Sequence, residues 1–247
     1  MTDSRWPAAI VLMRHAESEG NLADRRAISA GAGRLELDTR DADVELSATG
    51  RRQAEAVGTW LGNRDAAEHP TTVLCSPYRR AASTAEIAMA AAGLELPVRS
   101  DERLRERDLG MFDGLTGTGI REHFPEEAER RKRTGKFYYR PPGGESWCDV
   151  VLRLRSFIAD LQAEQVDERV LVASHQAVIL NFRFVLEGLT EAELMEADAG
   201  PPLANCSLTS YRRRDDGLLE LVTYNDVTPL ESMDEEVTEE EGHHVES

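Results

Sequence analysis

The chain has 247 residues, of which 40% are hydrophobic and 30% are charged, as is typical of a globular protein with a substantial core. No stretch is apolar over the roughly 18 residues that a membrane helix needs, and the N-terminus lacks the pattern of a signal peptide, so we expect a cytoplasmic protein with no membrane partner. The formal net charge of -17 argues against nucleic acid as a partner.

The negative charge is concentrated at the C-terminus, where residues 231–247 hold eight acidic residues and no Lys or Arg. We therefore divide the chain into one domain over residues 1–228 and a disordered acidic tail over residues 229–247. The three cysteines are widely spaced and form no C-x-x-C pair, which indicates free thiols instead of disulfides or a zinc site.

Three short apolar runs are rich in β-branched residues and do not alternate with polar ones, which is typical of parallel strands covered on both faces. They cover residues 8–13, 71–75 and 169–174. Helical patterns follow Ser47, span residues 79–92, and follow Ser146, where Asp149 completes a capping box. Two late segments around Gly217 predict a β-hairpin. Strands that alternate with helices predict an α/β fold with a mostly parallel sheet.

Two segments, residues 22–44 and 110–144, do not follow this alternation. The first is polar and rich in arginine, and the second is rich in Gly, Arg and aromatic residues and ends in "YYRPPGGES". Long irregular segments in a compact domain are commonly lids or substrate-binding loops, and we expect that role for both.

Residues suited to binding phosphate follow each predicted strand. Arg14 and His15 follow the first, Ser76 and then Arg80 the second, and His175 the third. Ligands of open α/β sheets bind beyond the carboxyl ends of the strands, so these side chains should converge. Arginines repel a cation and suit a phosphoryl group, which argues against a metal and for phosphate chemistry.

The nearby arginines should keep His15 neutral and able to accept a phosphoryl group covalently, while a protonated His175 would help to hold the phosphoryl oxygens. The leaving alcohol then needs a proton from a carboxylic acid. The segment "LRERDLG" offers Glu106 or Asp108, and we prefer Glu106.

These segments resemble the motifs of the histidine phosphatase, or phosphoglycerate mutase-like, superfamily. The matching stretches are "LMRHAESEGN", "SPYRRAASTA", "LRERDLG" and "VLVASHQAV", in the expected order over residues 9–180. The resemblance implies a three-layer α/β/α sandwich, catalysis without metal or cofactor, and the following site residues. His15 would be the nucleophile, Glu106 the proton donor, Arg14, Arg80 and His175 the phosphate pocket, and Asn21 a further pocket residue.

The middle of the chain resembles the fructose-2,6-bisphosphatase domain most closely, over residues 104–178. That similarity implies a sugar phosphate as substrate and places four residues near it: Tyr139, Arg140, Glu145 and Gln176. The sequence departs from that pattern in three ways. Ala16 replaces a glycine, Leu180 replaces an arginine, and the segment after Asn21 is longer.

We therefore expect a metal-independent phosphatase that hydrolyses a small phosphorylated metabolite through a phosphohistidine. A phosphoglycerate-type mutase and a non-catalytic scaffold that binds phosphorylated ligands are the alternatives. The sequence does not identify the substrate, and it leaves the oligomeric state open, with a homodimer among the alternatives.

Overall fold

The structure is a computed structural model that describes residues 6–239 and is centred on one sheet. The strands are β1 Ala9–Arg14, β2 Thr72–Cys75, β3 Val98–Ser100, β4 Arg169–Ser174, β5 Leu208–Arg213 and β6 Leu219–Asp226. They pair in the order β3-β2-β4-β1-β5-β6. The first four strands are parallel to one another, β5 is antiparallel to β1, and β6 is antiparallel to β5. The predicted mostly parallel sheet and the late hairpin are confirmed.

Helices cover both faces of the sheet. They are α1 Glu19–Ser29, α2 Ala48–Gly62, α3 Arg79–Ala91, α4 Gly117–His123, α5 Pro125–Thr134, α6 Trp147–Glu164, α7 Gln176–Glu187, α8 Glu191–Ala199 and α9 Thr228–Glu231. Within residues 6–239, none of these helices is long and apolar enough to cross a bilayer.

The residues of β1 show why the strands are apolar at consecutive positions. Ile10 and Leu12 join the core cluster that contains residues of α6 and α7, whereas Met13 joins the cluster that contains residues of α2 and α3. Side chains of a strand alternate between its two faces, and here both faces are covered by helices. The predicted three-layer sandwich is therefore confirmed.

The predicted helix starts are also confirmed. The Ser47 side chain accepts a hydrogen bond from the Gly50 backbone at the start of α2. Ser146 and Asp149 form the predicted capping box at the start of α6, with the Asp149 amide 3.1 Å from the Ser146 hydroxyl oxygen. Such caps satisfy backbone donors that the first helical turn leaves without partners.

The prediction that residues 22–44 and 110–144 are irregular is wrong in part. Residues 22–29 belong to α1, which begins at a capping box formed by Ser18 and Asn21. The second segment contains α4, capped by Thr116, and α5, which begins at Pro125. These caps and the proline are local signals for the start of a helix. The prediction of irregular structure relied instead on the polar and charged composition of both segments.

The predicted tail also differs from the structure over residues 229–239. Pro229 and Leu230 are buried in α9, and Thr238 is only 8% exposed. The charge of the segment favours disorder, but these three residues bury enough surface to order it. The rest of the predicted tail, residues 240–247, lies outside the described residues.

Candidate active site

Two histidines meet at the carboxyl edge of the sheet. β1 and β4 are parallel neighbours in which Arg14 lies opposite Ser174, so His15 and His175 leave the sheet side by side. The His15 backbone N–H donates to the Ser174 carbonyl at 2.9 Å, and the two imidazole centroids are 5.2 Å apart. The predicted convergence of the strand ends is therefore observed.

The His15 ring is oriented by its own loop. Its Nδ1 lies 2.8 Å from the Ala16 carbonyl oxygen, which can only accept, so Nδ1 carries the proton and the lone pair remains on Nε2. Burial lowers the pKa of His15 well below its usual value, and the charges of Arg80 and Arg14 lower it further. His15 thus presents a neutral imidazole with Nε2 as the nucleophilic atom.

His175 is fully buried and is held by the segment that follows β2. Its Nε2 lies 2.8 Å from the Ser76 hydroxyl oxygen. Burial, followed by the charges of Arg80 and His15, lowers the pKa of His175 well below its usual value. This direction favours the neutral form of His175 in this state, whereas the predicted role in holding phosphoryl oxygens applies to the protonated form. A phosphoryl dianion beside the ring would raise the pKa again, because an opposite charge favours the charged form.

Arg80 is the second residue of α3 and is almost fully buried, whereas its neighbour Arg79 forms an exposed ion pair with Glu45. The Arg80 guanidinium binds Asp41: Nη1 lies 2.7 Å from the Asp41 carbonyl and 2.8 Å from its carboxylate. Sequence analysis did not identify Asp41, which belongs to the segment after Asn21. Four aspartates in that segment, at positions 24, 38, 41 and 43, look alike in the sequence, so no signal distinguished this one.

The structure places Glu106, and not Asp108, next to the histidine pair. A Glu106 carboxylate oxygen lies 3.8 Å from Nδ1 of His175. The Asp108 side chain is exposed and accepts a hydrogen bond from the Gly110 backbone at 2.7 Å, so it caps the turn that follows. Glu106 alone of the two is placed next to the histidine pair.

Two further predicted residues make contacts within the protein. Asn21 is buried and accepts from the Ser18 backbone at 3.0 Å, at the start of α1. Glu145 binds Arg153 at 3.0 Å and the Asp108 backbone at 3.1 Å, so it anchors the loop that carries Glu106. The expected places of Asn21 in the pocket and of Glu145 near the substrate stay predictions.

A cavity of about 170 Å³ borders the residues that follow Glu106 and His175. Its wall includes two of the predicted residues, Gln176 and Tyr139, but not Arg140, which forms an ion pair with Asp149 on the surface. Three cations that sequence analysis did not single out also line it: Arg107, Arg131 and Lys136. Burial is the largest influence on all three groups and lowers the pKa of each.

Two of the three sequence departures have clear structural outcomes. Ala16 is fully buried in the core cluster, and its φ angle is not positive, so its methyl group causes no backbone strain. Leu180 packs in a second apolar cluster with Trp147 and Leu194. No guanidinium reaches the cavity from that position.

The model of the histidine phosphatase superfamily (branch 1) matches residues 10–227. The chain belongs to the histidine phosphatase superfamily. The 6-phosphofructo-2-kinase/fructose-2,6-bisphosphatase of Aquarana catesbeiana is 34% identical over 173 residues, covering 70% of this chain and 31% of that protein. A phosphoglycerate mutase-like protein of Arabidopsis thaliana is 34% identical over 192 residues, covering 74% of this chain and 55% of that protein.

Among solved structures, a mycobacterial glucosyl-3-phosphoglycerate phosphatase in complex with VO3 is 29% identical with a TM-score of 0.67, covering 88% of this chain and 99% of that one. The phosphoglycerate mutase of Bacillus anthracis, at 18% identity and a TM-score of 0.72, has the same fold and covers 95% of this chain. This chain spans about a third to a half of the length of the curated relatives it matches. The predicted family, its fold and its phosphatase relatives are confirmed.

Proposed function

We propose that this protein is a phosphatase that hydrolyses a small phosphorylated metabolite through a phosphohistidine on His15. The observation that carries the proposal is the setting of His15: its Nδ1 donates to the Ala16 carbonyl, which leaves the lone pair on Nε2, its ring centroid lies 5.2 Å from that of His175, and Arg80 and Arg14 are close enough to lower its pKa. Neutral imidazole is a competent nucleophile toward phosphorus, and guanidinium groups stabilise the charge of the transferred group.

In the first step, Nε2 of His15 forms a bond to phosphorus while the bond from phosphorus to the ester oxygen breaks. Glu106 gives its proton to the departing alcohol. In the second step, the Glu106 carboxylate accepts a proton from water as the water oxygen attacks phosphorus. The bond to Nε2 breaks, and inorganic phosphate and neutral His15 are formed. Arg14, Arg80 and His175 would hold the phosphoryl oxygens in both steps.

The cavity next to the histidines supports a substrate whose alcohol part carries a second negative group, such as a sugar phosphate with a carboxylate or a second phosphate. Arg107, Arg131 and Lys136 supply cations, and Asp198 offsets part of that charge. A volume of about 170 Å³ is smaller than pockets for drug-sized ligands, which typically exceed about 300 Å³.

The intermediate is the first test. Wild-type protein is mixed with a labelled phosphomonoester and quenched, and we expect a phosphoryl group that is labile to acid and stable to base. His15→Ala should trap none, while His69→Ala should behave as wild type because His69 binds the Arg64 carbonyl away from the pocket. If the wild type neither traps phosphate nor hydrolyses any member of a broad panel, the protein is a binding scaffold and the proposal fails.

The second test concerns the substrate class and the mutase alternative. Arg107→Ala should raise KM about tenfold or more for esters with a second negative group, because a charged hydrogen bond contributes about 1.5–3 kcal/mol, and should leave KM for p-nitrophenyl phosphate unchanged. Equal effects on both substrates would contradict a second anion site. Rapid isomerisation of 3-phosphoglycerate in the presence of a bisphosphoglycerate primer, without phosphate release, would establish a mutase instead.

A further inference from the structure

Residues 232–239, which we call the C-terminal strap, contact two side chains, Gln53 and Asn205, that in turn bind the backbone of residues 15–17. Thr238 is the buried residue of the strap, and its carbonyl accepts from the Asn205 backbone N–H at 2.8 Å. Its hydroxyl accepts from Nε2 of Gln53 at 2.9 Å and donates to Oδ1 of Asn205 at 3.0 Å. The strap is thus fixed to two amide side chains from distant parts of the chain.

Each of those amides continues to the backbone beside the nucleophile. Nδ2 of Asn205 donates to the His15 carbonyl at 3.1 Å. Oε1 of Gln53 accepts from the Glu17 backbone N–H at 3.0 Å. Both amide side chains are fully buried. Thr238 is therefore one residue removed from the backbone on either side of Ala16, whose carbonyl orients the His15 ring.

The Thr238 hydroxyl joins the two amides at the ends that point away from the nucleophile backbone. An amide group donates at its nitrogen and accepts at its oxygen, and a hydroxyl can donate once and also accept. The His15 carbonyl can only accept and the Glu17 N–H can only donate, so these groups set which end of each amide they contact. The Thr238 hydroxyl then pairs with the opposite end of both amides, and the Glu236 carbonyl of the same strap also accepts from Nε2 of Gln53, at 2.9 Å. Loss of the hydroxyl would leave Oδ1 of Asn205 without this donor, which loosens the network that holds the backbone beside Ala16.

We infer that Thr238 is a positioning residue for the His15 nucleophile, acting through Asn205 and Gln53; the inference rests on the proposed function of His15. In-line attack requires Nε2 to be aligned with the phosphorus atom, and a displacement of about 1 Å can cost roughly a hundredfold in rate. The strap contributes no group to the phosphate pocket, whose Arg80 and His175 are held by Asp41 and Ser76.

The test compares Thr238→Val, which keeps the shape and removes the hydroxyl, with Thr238→Ser, which keeps the hydroxyl. Glu235→Gln is the matched control, because Glu235 lies in the same strap and its carboxylate pairs with the half-exposed Arg52 and not with Gln53 or Asn205. With p-nitrophenyl phosphate, we expect Thr238→Val to lower kcat about tenfold, since part of the alignment is lost, and to change KM less than twofold. Thr238→Ser and Glu235→Gln should match the wild type.

A second measurement separates positioning from activity. Nitrogen-15 NMR of the His15 imidazole should show a proton on Nδ1 in the wild type and in Thr238→Ser, and a mixture of protonation on Nδ1 and Nε2 in Thr238→Val. An unchanged tautomer and kcat in a folded Thr238→Val protein would overturn the inference, as would a loss that Thr238→Ser does not restore. A wild type with the Nδ1 tautomer but no turnover would overturn the proposed function alone.

Discussion

In the proposed mechanism, Asp41 and a phosphate ester would compete for the guanidinium of Arg80. Asp41 contacts Nη1 and Nη2 of Arg80 through both carboxylate oxygens and through its backbone carbonyl, at 2.7–3.3 Å. A phosphoryl group that binds the same two nitrogens would displace the carboxylate. We therefore predict that Asp41→Asn strengthens the binding of inorganic phosphate and of substrate.

The structure sets the size of this effect. Opposite charges about 2.8 Å apart attract by about 6 kcal/mol at an effective dielectric constant near 20, which is an upper limit. The Asp41 side chain is 40% exposed, so water screens much of that attraction. If about 1.4 kcal/mol of it opposes phosphate binding, the inhibition constant of phosphate falls about tenfold in Asp41→Asn.

The assay is competitive inhibition of p-nitrophenyl phosphate hydrolysis by phosphate and by vanadate. Asp43→Asn is the matched control, because Asp43 lies on the same turn and pairs with the exposed Arg40. Arg80→Ala supplies the reference for loss of the guanidinium. If Asp41→Asn weakens inhibition as Arg80→Ala does, Asp41 orients Arg80 for substrate, and the competition argument is refuted.

Three further predictions concern the histidines, the loop and the acid. Burial depresses the pKa of both His15 and His175, so the unfolded chain binds more protons. The free energy of unfolding should then be constant above about pH 6.5 and fall below it by up to about 2.7 kcal/mol per pH unit, measured by urea unfolding; a flat profile would contradict neutral histidines. Gly50→Ala places a methyl group 1.9 Å from the Glu17 carbonyl. It should cost about 1–3 kcal/mol of stability and lower kcat, whereas Gly20→Ala, with contacts no closer than 3.4 Å, should not. Glu106→Gln should slow hydrolysis of alkyl phosphates by about 10²–10⁴ and of p-nitrophenyl phosphate far less, because only the alkoxide needs the proton; equal losses would remove Glu106 from that role.

The parts of the fold that were predicted correctly are those in which a local sequence pattern strongly favours one type of secondary structure. The run before His15 is apolar at consecutive positions, and only a strand buried on both faces satisfies such a run next to helices. The order of the strands then brings His15 and His175 together without any information about loops. The residues at strand ends were therefore the most predictable part of the site.

The parts that sequence analysis missed depend on contacts between distant segments. Asp41 binds Arg80 across 39 positions of the chain, and Thr238 binds Asn205 across 33. Neither residue has a local signal, because an aspartate in a polar segment and a threonine in an acidic one are typical of solvated chain. Arg140 and Glu145 show the opposite case. Their sequence neighbourhood matched a known domain, yet both are occupied by ion pairs, with Asp149 and Arg153 respectively.

The residues that the sequence predicted and the residues that it did not predict have different roles in the proposed mechanism. In the proposed mechanism, the strand ends supply the nucleophile and the phosphate pocket, which any phosphomonoester needs. Three other segments would act on that shared centre. Asp41 would compete with substrate for Arg80, the cavity cations would select the alcohol, and Thr238 would align His15. Variants in the three segments should therefore change different constants, namely phosphate inhibition, KM for doubly charged esters, and kcat. A variant of Asp41 that changed only kcat, or of Thr238 that changed only KM, would show that these segments do not act separately.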